Sequence, residues 1–124
     1  GAPAPLQHAA AAALRLPDAY FIELKAAYAK RREMLTGALR EAGFAFHMPE
    51  GAYYVMADIR PAGFRDGDEL CRRMVEQVRV AAVPGSSFFR QKSDGAGWIR
   101  FCFCKKYETL EEAGRLLCEG LRRL

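Results

Sequence analysis

Histidine is scarce in this chain of 124 residues: there are two, His8 and His47, and neither sits in a serine–histidine–carboxylate pattern. No G-x-S-x-G, H-E-x-x-H or G-x-G-x-x-G occurs. Those absences exclude a serine elbow, a zincin helix and a dinucleotide-binding turn as self-contained sites. Cysteine appears at Cys71, Cys102, Cys104 and Cys118, without a C-x-x-C pair. Such spacing suits neither a zinc knuckle nor a disulfide framework. It predicts free buried thiols in a reducing, cytoplasmic setting, and no metal site. No apolar run approaches the roughly 20 residues that span a bilayer. The alanine-rich start, "APAPLQHAAAAAL", lacks the basic leader of a signal peptide. Repeats and low-complexity linkers are missing as well.

What is there reads as one globular domain. Hydrophobic residues make up 51% and charged residues 27%, which is a folded rather than a disordered balance. The net charge is +4. Its basic residues are spread along the chain, so the charge permits an acidic or nucleic-acid partner without demanding one.

Residues 1–14 read as a Pro-bounded entry and a short Ala-rich helix. Pro17-Asp18 marks a new start, with Asp18 as N-cap. From there Phe21, Leu24, Tyr28, Leu35 and Leu39 recur on one face of a long helix that stops at Gly43. Its length predicts that one end packs against another body. Ala52 to Ile59 reads as a strand with apolar residues on both faces, so both faces should be covered. Asp66 or Asp68 caps a helix with Leu70, Cys71, Met74, Val75 and Val78 inward. "VRVAAV" reads as a short buried strand and "PGSSFF" as an inter-strand turn. Phe88 and Phe89 either line a pocket or close the core, and pattern alone favours closing the core. "RQKSDGAG" reads as a mobile polar loop. "WIRFCFC" is the next strand. Thr109 and Glu112 form a capping box for a last helix with Leu110, Ala113, Leu117, Leu121 and Leu124 inward. The fold class is α+β: a three- to four-stranded sheet with helices packed on one face, preceded by a long helix.

One residue disturbs that strand. Alternation sends Ile99, Phe101 and Phe103 to one face and Trp98, Arg100, Cys102 and Cys104 to the other. A buried guanidinium needs a partner, because an unpaired buried charge costs several kcal/mol. The partner is either an internal carboxylate, such as Asp58, or a carboxylate carried by a ligand, which the planar two-pronged donor matches. Pattern alone favours the internal pair, since structural pairs outnumber sites. "DGDE" at 66–69 superficially resembles a metal loop but reads more simply as an acidic helix start. No catalytic residue emerges from the residues themselves.

Taken in order, "APAPLQHAAAAAL", "YFIELKAAYAKRREMLTGALREAGF", "PEGAYYVMADI", "VAAVPGSSFF" and "GWIRFCFCKKYETLEEA" cover nearly the whole chain. Their order and spacing resemble the C-terminal part of fold-type-I, class I/II aminotransferases. The "IRFCFCKK" variant is most similar to the kynurenine/glutamine/methionine branch. The resemblance implies that residues 1–17 are the tail of a large domain, 18–124 the small domain, and the long helix the link between them. It implies an enzyme that transfers an amino group between an L-amino acid and a 2-oxo acid, using pyridoxal phosphate as a homodimer. Arg100 matches the arginine that binds the substrate α-carboxylate. Tyr53 or Tyr54 and Phe88 match residues facing the substrate, and Gly51 a loop that closes over it. The Schiff-base lysine lies outside these motifs, and none of Lys25, Lys30, Lys92, Lys105 and Lys106 matches it. The chain by itself is therefore expected to be inactive and to bind no cofactor. The rival reading is a stand-alone basic module for single-stranded nucleic acid. An aromatic-rich central strand resembles RNA-binding platforms, but the element order and the missing glycine-aromatic signature speak against it. No membrane partner is expected.

Overall fold

The computed structural model describes residues 1–124. Helix α1 runs Ala4–Ala13 and buries none of its residues. Helix α2 runs Asp18–Glu41, 24 residues, or about 36 Å at 1.5 Å per residue. Its N-cap is Pro17, not Asp18: Pro17 has the extended ψ of 148° of a helix entry, and its carbonyl already accepts from the Tyr20 N–H at 2.9 Å. Asp18 is the first helical residue, where its charge complements the helix dipole. The other end is a Schellman turn. The Phe44 N–H donates to the Leu39 carbonyl at 3.0 Å and the Gly43 N–H to that of Arg40 at 3.1 Å. This geometry needs a left-handed residue, and Gly43 supplies it with φ +88°.

Four antiparallel strands follow: β1 (Ala45–Phe46), β2 (Tyr54–Asp58), β3 (Val83–Pro84) and β4 (Trp98–Cys102), in the spatial order β1-β2-β4-β3. β2 and β4 carry the sheet, with Val55 opposite Phe101 and Ala57 opposite Ile99. These four side chains are buried and form the core with Leu35 and Leu39 of α2 and Phe103 beyond β4. Helix α3 (Gly67–Arg73) and helix α4 (Tyr107–Gly120) complete it through Leu70, Leu110 and Leu117. Asp66 caps α3, its carboxylate accepting from the N–H groups of Asp68 and Glu69 at 2.9 and 3.0 Å. That resolves the "DGDE" run as a helix start.

Several expectations fail for local reasons. Val75 is 53% exposed rather than inward. The turn after α3, Met74–Val78, is a π turn, and it keeps Met74 and Val78 in the core while Val75 swings out. "VRVAAV" forms no continuous strand: Val78 ends that π turn, Arg79 adopts φ +65°, and only Val83 reaches the sheet. The strand expected from Ala52 begins at Tyr54, because Ala52 is left-handed at φ +59°. Thr109 is not an N-cap. The chain is already helical at Tyr107, whose ring lies beneath Lys30 and Arg31 and fixes the helix start two residues early. The segment 90–97 contains a short 3₁₀ turn, and its Gly95 is buried rather than exposed on a loop. Phe21 and Leu24 are exposed although they share the periodic face of α2 with buried Leu35 and Leu39.

Candidate functional site

Alternation along the two central strands builds a second sheet face. Tyr54, Met56 and Asp58 of β2 lie opposite Cys102, Arg100 and Trp98 of β4, and Val83 of β3 flanks Arg100 from the other side. All are half-buried, in contrast to the fully buried residues of the core face. The apolar residues here answer the expectation of a two-sided strand only in part: the core side is covered, and this side is open.

Arg100 sits at its centre. Its guanidinium carbon lies 4.2 Å from the centre of the Phe88 ring and 5.1 Å from that of Tyr54. Its Nε is buried without a hydrogen-bond partner, and none of the ion pairs of the molecule includes it. Aromatic faces contribute about 0.5–2 kcal/mol to such a cation, but they leave its fork of donors unused. The internal partner suggested by pattern, Asp58, is engaged elsewhere. Its carboxylate accepts from the Arg60 backbone N–H at 2.9 Å, from Nε at 2.8 Å and from Nη2 at 2.6 Å. Those hydrogen bonds hold the Asp58 carboxyl below its ordinary value, and in return the pair raises Arg60.

Phe88 reaches Arg100 because its turn is pressed onto β4. Gly85–Phe88 is a 3₁₀ turn between β3 and β4. A methyl on Gly85 would stand 2.5 Å from the Gly95 carbonyl oxygen and 2.7 Å from that of Trp98. Only glycine permits this approach. The same contact explains why the 90–97 segment is packed down. Phe88 and Phe89 therefore do not close the core, and both remain exposed. Ser86 is buried, so "PGSSFF" joins strands, as the inter-strand reading expects.

Of the residues singled out from sequence, Arg100, Tyr54 and Phe88 come together. Tyr53 stands beside them, edge-on to Tyr54 with ring centres 5.6 Å apart, and is 49% exposed. Gly51 does not join them. It lines a separate cleft of about 330 Å³ with Phe21, Leu24, Tyr28, Arg32 and Phe103, between α2 and the loop before β2. Met56, Val83 and Arg60 were missed. The first two are visible only once the strand register is known. The third had a signal in "DIR", which places Asp58 and Arg60 two apart. The cysteines form no disulfide, and burial pushes the Cys71 thiol up to about 11.

Fold and site together define a half-covered α+β domain that presents an unpaired arginine on an open sheet face. Residues 2–117 match the family model for aminotransferases of class I and II, and the chain belongs to that family. It is 41% identical over 122 residues to the probable N-succinyldiaminopimelate aminotransferase DapC of Mycobacterium tuberculosis, covering 92% of this chain and 31% of the relative. It is 33% identical over 108 residues to the LL-diaminopimelate aminotransferase of Nitratidesulfovibrio vulgaris, covering 87% of this chain and 27% of the relative. The solved N-succinyldiaminopimelate aminotransferase of Mycobacterium tuberculosis matches with a TM-score of 0.84 at 42% identity, over 93% of this chain and 30% of that one. The aromatic aminotransferase of Pyrococcus horikoshii matches at 0.80 and 33% identity, over 94% and 31%. The chain thus spans less than a third of the length of these relatives.

The family uses pyridoxal phosphate. A site for it needs an amine for the aldehyde and polar groups for the ring nitrogen and phosphate. All five lysines are exposed, on α2, on the turn at 92–95 and on the β4–α4 connection. The one carboxylate on the open strand face is taken by Arg60. These residues do not fit the cofactor, so no step of its chemistry is assigned to this chain. No helix is long and apolar enough to cross a membrane.

Proposed function

We propose that this chain is the small-domain part of a pyridoxal-phosphate-dependent aminotransferase, and that Arg100 binds the substrate α-carboxylate. The carrying observation is the Arg100 guanidinium: aromatic on two sides, buried at Nε, free of any ion pair, and on a face the chain leaves open. A carboxylate would take two parallel hydrogen bonds from that fork. Those bonds would fix the substrate's rotation, and positioning of this kind is worth several kcal/mol of barrier. Tyr53, Tyr54 and Phe88 would shield the pair from water and strengthen it. Gly51, in its separate cleft, would act only as part of a closing loop.

The division at residues 17 and 18 belongs to the same reading. Leu6, Leu14, Leu16 and Ile22 are exposed around that boundary, which supports packing against a larger domain of the same protein. That domain would hold the cofactor, supply the catalytic lysine and form the homodimer. Free thiols support a reducing, cytoplasmic location. For the amino donor, the "IRFCFCKK" likeness favours kynurenine, glutamine or methionine, whereas two relatives are named for N-succinyldiaminopimelate (as a probable aminotransferase) and for LL-diaminopimelate. Side-by-side assay of the two donor groups decides between them.

The test of the arginine is Arg100→Lys in the intact enzyme. Lysine keeps the charge and loses the fork, so kcat/KM should fall by about 100-fold or more, the equivalent of two hydrogen bonds to charge. An unchanged kcat/KM would remove Arg100 from the substrate. The 124-residue chain alone should take up no pyridoxal phosphate. A cofactor absorbance band that survives gel filtration and disappears with borohydride would show that it does.

A further inference from the structure

Asp58 is the only carboxylate among the strand residues of the open face. It lies opposite Trp98, while Arg100 lies opposite Met56. The two are diagonal neighbours, with backbones about 7–8 Å apart in such a ladder, and an arginine side chain spans that distance. A free Asp58 would therefore be the natural partner of Arg100. Yet all of its captured donors belong to Arg60: the backbone N–H, Nε and Nη2.

The placement of Arg60 is itself built. Its side chain lies flat across Gly97, where a methyl would stand 3.2 Å from both Cδ and Nε. Its guanidinium carbon is 5.7 Å from the centre of the Trp98 ring. The Ile59 N–H bonds to the Gly97 carbonyl at 3.1 Å and ties the two segments together.

We infer that Arg60 is a positioning residue: by occupying Asp58 it prevents an internal salt bridge to Arg100 and keeps that guanidinium available for an external carboxylate. The inference rests on the carboxylate role proposed for Arg100, and it acts through Asp58 rather than through contact with substrate. It has a distinctive genetic signature. Removing Arg60 harms Arg100 only while Asp58 is charged, so a second change at Asp58 reverses the harm.

The experiment is side-chain NMR of the ¹⁵N-labelled chain, following the Arg100 Nε–H resonance, assigned by its loss in Arg100→Lys. Acetate is the probe. In Arg60→Ala without acetate, the resonance should move to a position typical of a carboxylate-bound guanidinium. Its acetate affinity should fall about fivefold, the worth of a half-exposed ion pair. Arg60→Ala with Asp58→Asn should return both to wild-type values, and Asp58→Asn alone should leave both unchanged. Wild-type behaviour in Arg60→Ala overturns the inference. So does a loss that persists in the double variant, which would mark Arg60 as merely structural. If acetate fails to move Arg100 in the wild-type chain, the carboxylate role fails, while the acetate-free spectra still report whether Asp58 captures Arg100.

Discussion

β4 has two faces made by the same five residues, and they follow different rules. Ile99 and Phe101 point into a continuous apolar core shared with α2, α3 and α4 and are buried there. Trp98, Arg100 and Cys102 point away and stay half-buried, with Phe88 and Tyr54 against the Arg100 guanidinium and Arg60 against Trp98. On the core face every contact is apolar and internal, so each side chain is worth its transfer free energy plus the cavity it would leave. On the open face, aromatic rings and a guanidinium are held in place without their polar capacity being used. The lesson is that a side chain can be ordered by its neighbours and still be unsatisfied by them. Such a side chain is organised for something outside the fold.

The largest effect that would test this contrast lies on the core face. Phe101→Ala should destabilise the chain by about 3–5 kcal/mol, read as a lower urea midpoint. A loss below 1 kcal/mol would mean that the face is not a packed core. Next comes the seam joining the two faces. Gly85→Ala forces a methyl against the Gly95 and Trp98 carbonyls and should cost about 1–3 kcal/mol as overpacking. It should also lift Phe88 off Arg100, visible as a lost ring-current shift on the Arg100 side chain. A stable variant with that shift intact would show that the glycine contact does not position the turn. The smallest effect belongs to the open face. Arg100→Met removes a guanidinium with a buried, unsatisfied Nε and keeps the volume, so stability should change by less than about 1 kcal/mol in either direction. If it costs as much as Phe101→Ala, the distinction between the faces collapses.

Much of this was legible beforehand. Gly43 as the end of α2 follows from the one residue type that takes φ +88° without strain. The two-faced reading of β4 follows from period-two alternation, and Leu110, Leu117 and Leu121 follow from helical periodicity. What failed was short-range detail, some of it set by the local backbone and some by contacts distant in sequence. Thr109 has the side chain of a cap, but Lys30 and Arg31, on another helix, set the α4 start at Tyr107. Val75 fits an α-helical face, yet the chain takes a π turn there. Phe88 looks like core, but the contact of Gly85 with Gly95 holds its turn on the opposite side of β4. At the site, Arg100 stood out as a charge in an apolar alternation. Asp58 also stood out as its possible partner, and only the geometry revealed that Arg60 had taken it.

By itself, the sequence determined the α+β class, the length of α2, the alternation of β4 and the isolation of a single arginine within it. Those properties depend on local periodicity and on the backbone preferences of single residues, which need no knowledge of the rest of the chain. Only the tertiary structure decided that the second face of the sheet is left half-open, which aromatics meet Arg100 and which cation holds Asp58. The first two depend on strand register and on segments brought together by the fold, whereas the Asp58–Arg60 pair is local in sequence and is settled only by how the two side chains are oriented. A shift of one residue in that register would exchange the two faces of the strand.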